Sequence, residues 1–154
     1  MLGQQNIELA RFGDAHRIAE MSRDLIEHGL GWSWNRDRIK HAIRNPECNV
    51  AVSKHEGQVV AFGIMEYGAT SAHLSLFAVD PSQRRKHIGT ELLGWLEDVA
   101  LTAGLEKVNL ETRLDNVSGR EFYKSCGYRV VGRIPGYYFG RESAVRMTHQ
   151  IRLS

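Results

Sequence analysis

"AVDPSQRRKHIGTELL", residues 78–93, joins the end of a strand-like run to the start of an amphipathic helix. Before it, "HLSLFAV" is rich in β-formers. After it, Ile88, Leu92, Leu93, Leu96, Val99, Ala100 and Ala103 recur at helical spacing, with Gly104 placed to end the helix. A strand therefore delivers a tight cationic loop into a helix N-terminus. First-turn amides of a helix lack intrahelical partners, and the macrodipole puts about half a positive charge there. With Arg84, Arg85 and Lys86 alongside, this makes a sensible pyrophosphate site. A solvated basic loop is the competing reading, because cations at a helix N-terminus are mildly unfavourable. The loop is neither a P-loop nor a G-x-G-x-x-G fingerprint.

Working outward, "NIELARF" reads as a first strand ending near Phe12. Ile18, Met21, Leu25 and Ile26 then follow helical intervals, with Asp14 as the expected N-cap. A second helix is expected through "RDRIKHAIRN", stopping before Pro46. "NVAVSKH", "QVVAFGIMEY" and "SAHLSLFAV" are strands joined by "EG" and "GAT", which predicts an antiparallel meander. Beyond the long helix come a strand "KVNLETR", a helix "NVSGREFYKSC" ended by Gly127, and strands "YRVVGRI" and "SAVRMTHQIRL" around a "PGYYFGRE" loop. Strand, helix, strand around the long helix is a crossover unit. The expected fold class is α/β, an α+β mixed sheet with helices on its faces.

The 154 residues fit a single domain spanning 1–154. A net charge of +2 is too small for a dedicated nucleic-acid binder, so no nucleic-acid partner is expected. Cys48 and Cys126 lie far apart and outside any C-x-x-C, which argues against a disulfide framework or a metal site. No signal peptide or membrane-spanning run is legible, so the expected location is cytoplasmic, without a membrane partner. A homodimer is compatible with the sequence.

Read with its flanks, "AVDPSQRRKHIGTELL" resembles motif A of the GNAT superfamily of acetyl-CoA-dependent N-acetyltransferases, in which V-x-P is followed by Q/R-x-x-G-x-G/A and a long helix. Here Val79 and Pro81 precede Arg84-x-x-His87-x-Gly89, so His87 stands where the family has its first glycine. "LETRLDNVSGREFYKSCGY" resembles the next family element. Within the superfamily the motifs are most similar to the ribosomal-protein alanine N-acetyltransferases, through Glu111, Asn116, Tyr123 and the tail "GYYFGRESAVRM". That tail is shorter than theirs, and Ser143 replaces an Asp. The resemblance implies a central twisted mixed sheet of about seven strands flanked by about four helices.

It also implies direct acetyl transfer from acetyl-CoA, without a metal, to a primary amine in a ternary complex. Backbone groups of Phe77, Ala78 and Val79 would pair with the pantetheine arm, one N–H polarising the thioester carbonyl. Amides of Arg85, Lys86, His87, Ile88, Gly89 and Thr90 would receive the pyrophosphate, with Arg84 at the motif's opening. Asn116 would cap the last helix and also bind CoA. Glu111 is the candidate general base; as a bland alternative it faces solvent or pairs with Arg113. Deprotonating an α-amine at pH 7 costs roughly 1 kcal/mol, against roughly 4.6 kcal/mol for a lysine, so a modest base suffices for a protein N-terminus. Tyr123 is the candidate general acid, or else a core aromatic beside Phe122. Cys126 is expected to be filler rather than a nucleophile. Trp32, Trp34, Tyr137 and Tyr138 are expected to line the acceptor groove, or to lid a small core. His87 is expected at ordinary φ with its imidazole turned from the pyrophosphate. A small-amine acetyltransferase and a non-catalytic acyl-CoA-binding module remain the alternative functions.

Overall fold

The structure is a computed structural model that describes residues 6–84 and 87–152. Seven strands form one sheet: β1 (Asn6–Leu9), β2 (Cys48–His55), β3 (Gln58–Tyr67), β4 (Ser71–Val79), β5 (Lys107–Arg113), β6 (Arg129–Tyr138) and β7 (Glu142–Gln150). Four α-helices accompany them: α1 (Ala15–Met21), α2 (Arg36–Arg44), α3 (Ile88–Thr102) and α4 (Val117–Ser125). The spatial order is β1-β2-β3-β4-β5-β7-β6. β2, β3 and β4 form the expected antiparallel meander, whose first turn places Glu56 and Gly57 at φ 52° and 80°. Only β4 and β5 run parallel, linked through α3.

Two cores flank the sheet. α3 buries Ile88, Leu92, Leu93, Leu96 and Ala100 with Leu74, Val108, Leu110 and Tyr123. α1 and α2 bury Ile18, Met21 and Ile39 with Val50, Phe62, Ile64, Leu76 and Ala78. Successive residues of β4 should alternate between faces, so Leu74 and Leu76 belong together by sequence. They separate because Ile64 and Met65 of β3 pair with Leu76 and Leu74, which leaves Ser75 as one extra residue. Such a β-bulge bends its strand. The parallel pairing of β4 with β5 ends at the same point, at Leu74↔Leu110. Beyond it the two strands part.

Several expected boundaries shift. β1 stops at Leu9, and Phe12 begins a short 3-10 turn beneath the Arg44 guanidinium. Asp14 precedes α1 but accepts the Arg11 amide behind it and pairs with Lys54 at 3.2 Å, so it caps nothing ahead. The stretch with Leu25 and Ile26 is a π turn, Ser22–Ile26, rather than regular helix. Ala103, assigned to the apolar stripe, is exposed past the end of α3. Most of the expected 135–142 loop is strand: β6 runs to Tyr138, which pairs with Glu142, because Phe139 and Gly140 accept left-handed backbone and make the turn.

Buried Gly63 on β3 shows how tightly α3 sits. A Cβ there would stand 2.7 Å from Leu96 Cδ1 and 3.1 Å from Phe77 Cδ2. Gly63→Val should cost about 1–3 kcal/mol by overpacking. Gly94→Ala, in α3 with nothing within 4 Å, should stabilise by up to about 1 kcal/mol. Denaturant unfolding of the two variants checks the contrast, and equal midpoints would contradict this packing.

Candidate active site

The parting of β4 and β5 opens a cleft of about 1180 Å³ that is lined from both faces of the sheet. Its walls include Phe77, Ala78 and Val79 of β4, the start of α3, Asn116, Phe122 and Tyr123 of the α4 side, and Glu111 of β5. Residues 75–79 have β3 on one side and no paired strand on the other. An extended ligand can add there as a strand.

At one end of the cleft lies the loop before α3. Asp80 caps a 3-10 turn with Pro81 at its first position, accepting from the Ser82 amide and hydroxyl, and its carboxylate pairs with Arg17 at 2.8 Å. These bonds hold the Asp80 carboxyl below its ordinary pKa. The Arg84 side chain folds back onto the Val79 carbonyl at 3.3 Å. Arg85 and Lys86, expected to contribute amides, lie outside the described residues. The first amide bonded within α3 is that of Glu91, to the His87 carbonyl, so the amides of Ile88, Gly89 and Thr90 precede the intrahelical ladder. His87 contradicts the expectation of ordinary φ: it is left-handed, at φ 62° and ψ 10°. The turn into α3 imposes the backbone that glycine supplies in the family motif, and histidine is among the residues that tolerate it. Its residue is exposed at the cleft. Gly89 permits close packing, since a Cβ there would lie 3.2 Å from Phe122 and 3.3 Å from Val79.

Asn116 is the N-cap of α4: its Oδ1 accepts from the Gly119 amide, and its Nδ2 donates to Thr112 Oγ1. Tyr123 is buried within an aromatic cluster, edge-on to Phe77, Phe122 and Tyr128. Burial drives its pKa well above the ordinary value, so the phenol keeps its proton. Cys126 is half-buried against the same core, and burial raises its thiol pKa, as suits filler.

On the opposite face stands Glu111, its side chain only 6% exposed. Neither bland alternative holds, since Arg113 pairs with Glu142 and with the carbonyls of Ile26 and His28. Glu111 instead meets His73 Nε2 at 2.6 Å and Arg146 Nε at 2.9 Å, and it accepts from the Tyr137 hydroxyl at 3.2 Å. The bond to His73 leads in holding its pKa down at about 2, with Arg146 assisting against burial. His73 Nδ1 lies 3.2 Å from Ser75 Oγ, which in turn donates to Glu66. Both imidazole nitrogens thus have acceptors, and the bond to Glu111 raises the His73 pKa.

His73 and Arg146 escaped sequence reasoning. A histidine and a serine interrupting an apolar strand were a signal, but only the register across β4, β5 and β7 brings them to Glu111. Of the expected acceptor residues, Trp34, Tyr137 and Tyr138 line the cleft, and Trp32 does not. Trp32 is 45% exposed and donates to the Trp34 carbonyl, with Arg23 over its ring. Buried Glu27 accepts from the Ser33 and Trp34 amides and the Ser33 hydroxyl, which closes the loop over residues 28–34. Among the described residues no cluster of three or more metal-binding side chains forms, and no helix is long and apolar enough to cross a membrane.

A sequence profile of the acetyltransferase (GNAT) family matches residues 15–128. An uncharacterized N-acetyltransferase of Methanocaldococcus jannaschii is 36% identical over 105 residues, 66% of this chain and 65% of that protein, so the chain spans less than two thirds of that relative's length. The Escherichia coli [ribosomal protein bS18]-alanine N-acetyltransferase is 32% identical over 100 residues, 63% of this chain and 68% of its own. In fold, the chain is similar to Ard1 from Thermoplasma volcanium, with a TM-score of 0.86 at 23% identity over 97% of this chain and 99% of the other. It is also similar to the paiA N-acetyltransferase from Thermoplasma acidophilum in complex with coenzyme A, with a TM-score of 0.79 at 17% identity, covering 96% of this chain and 99% of that one.

The His73–Glu111 pair has a definite pH signature. A carboxylate with lowered pKa contributes stability above its ordinary value of 4.5 and loses it as pH falls toward about 2. An imidazole with raised pKa contributes fully below 6.5 and loses it as pH rises through the raised value. The Tm deficit of His73→Gln should therefore be largest between about pH 4.5 and 6.5 and shrink in alkaline buffer. A deficit constant with pH would show that the ion pair is not what stabilises.

Proposed function

From the premise that this chain belongs to the acetyltransferase (GNAT) family, we propose that it is an acetyl-CoA-dependent N-acetyltransferase acting by direct transfer, with a protein N-terminal α-amine as acceptor. The observation that carries the reading is the parting of β4 and β5. It puts buried Tyr123 on the α4 side and Glu111, bonded to His73, on the opposite face of one continuous cleft. The unpaired backbone of Phe77, Ala78 and Val79 suits the pantetheine arm, and the amides of Ile88, Gly89 and Thr90, ahead of the intrahelical ladder, suit its pyrophosphate. Asn116 lines the same wall.

In this reading the acceptor ammonium first loses a proton. Glu111 alone is a poor acceptor, since at a pKa of about 2 it would take that proton from an α-ammonium at a cost of about 8 kcal/mol. Neutral His73, whose Nε2–H donates to Glu111 at 2.6 Å, takes the proton instead at Nδ1, beside the Ser75 hydroxyl, and the carboxylate stabilises the resulting imidazolium. The freed nitrogen lone pair attacks the thioester carbon, polarised by a β4 amide. The carbon–sulfur bond breaks and the Tyr123 hydroxyl gives its proton to the thiolate; the second amine proton restores the phenol, and the His73 imidazolium releases the first proton to solvent. The relative that acts on a ribosomal-protein alanine supports the N-terminal acceptor.

Free-thiol release with acetyl-CoA and a panel of peptides, polyamines and amino acids tests the reading, and acetyl-CoA binding without thiol release on any amine would refute it. Tyr123→Phe should lower kcat at least roughly tenfold while acetyl-CoA affinity stays unchanged. An unchanged kcat removes Tyr123 from the mechanism. The Glu111→Gln loss should shrink as pH rises and more amine is already neutral; a loss flat across pH would count against a part in proton removal.

A further inference from the structure

A second hollow, of about 590 Å³, starts at Glu111 and runs along the sheet face that bears His73. It is lined by His73, Lys107, Asn109 and Glu111, by Arg146 and Thr148 of β7, and by Arg129, Val131 and Tyr137 of β6. Its charges are uneven. Glu111 is the one carboxylate in the lining, and it is engaged by His73 and Arg146. Lys107 and Arg129 have no ion-pair or hydrogen-bonding side-chain partner among the described residues.

The register gives the spacing. Lys107 lies four residues from Glu111 along β5, which is about 13 Å. Arg129 pairs with Thr148, which pairs with Asn109, so it stands two residues along and two strands across, roughly 12 Å away. An amine at Glu111 therefore has uncompensated positive charge waiting beyond the reach of a free amino acid, whose amine and carboxylate are only two bonds apart. An extended peptide advances about 3.3 Å per residue with its side chains alternating between faces, so its third or its fourth side chain, whichever the pleat turns to this groove, reaches toward that position.

We propose that this groove selects acceptor peptides with acidic side chains at the third or fourth position, held by Lys107 and Arg129. The inference rests on the acetyltransferase reading and assigns the substrate class at the same site. The two cations touch neither the amine nor the thioester, so they set specificity and leave the chemistry alone.

The test is kcat/KM for free-thiol release on three peptides that share their first two residues and carry Asp-Asp, Ser-Ser or Lys-Lys next. The acidic peptide should exceed the basic one by roughly tenfold at low ionic strength, with the gap narrowing in high salt. Lys107→Glu with Arg129→Glu should invert the order, while acetyl-CoA affinity stays unchanged. Lys107→Gln with Arg129→Gln should flatten it. Transfer to all three peptides at equal rates, or faster to the basic one, overturns the inference and leaves the acetyltransferase reading intact. Preference for a free acidic amino acid over the acidic peptide also overturns it. Acetyl-CoA binding with no thiol release from any acceptor overturns both.

Discussion

The whole site depends on where one pair of parallel strands stops. β4 and β5 share hydrogen bonds only as far as Leu74↔Leu110, and the extra residue Ser75 is what ends the arrangement. One inserted residue has three consequences. It turns Leu76 and Ala78 toward the core of α1 and α2, and it leaves the β5-facing backbone of residues 75–79 unpaired. It also joins the two faces of the sheet by an opening in an otherwise packed layer. A regular sheet with the same composition would bury that backbone in its ladder and seal the two faces from each other.

The electrostatics follow from that opening. A carboxylate as covered as Glu111 needs partners to stay ionised, and the neighbouring strands supply His73 and Arg146. Partners that hold the charge also weaken it as a base, which moves the proton-accepting capacity to the imidazole. On the other face burial among aromatic and aliphatic side chains raises the Tyr123 pKa and keeps the phenol protonated. In the proposed mechanism acid and base differ because their environments push them apart, and the sheet separates the environments.

Much of this was legible in the sequence. The strand meander, the crossover through α3 and the Asn116 cap follow from periodicity and local chemistry, because each depends on residues near one another in the chain. The family motif located the cleft walls. What sequence could not supply was register. Whether Ser75 is in step with β3, and whether His73 and Arg146 stand beside Glu111, are set by pairings between strands, and Glu111 is 38 residues from His73 and 35 from Arg146. His87 shows the opposite limit, since the motif marks its position as one for glycine, yet the residue type suggested ordinary backbone. The turn into α3 prevailed, and histidine took the left-handed conformation.

In the proposed mechanism cofactor and acceptor approach from opposite faces of the sheet and meet in the opening at Ser75. A crystal structure with a conjugate of coenzyme A and an N-terminal peptide tests it most directly. The pantetheine arm should pair with the backbone of Phe77, Ala78 and Val79, the peptide should lie on the His73 and Arg146 face, and their junction should fall between Tyr123 and Glu111. A conjugate lying wholly on one face of the sheet, with β4 and β5 closed beyond Leu74, would contradict it.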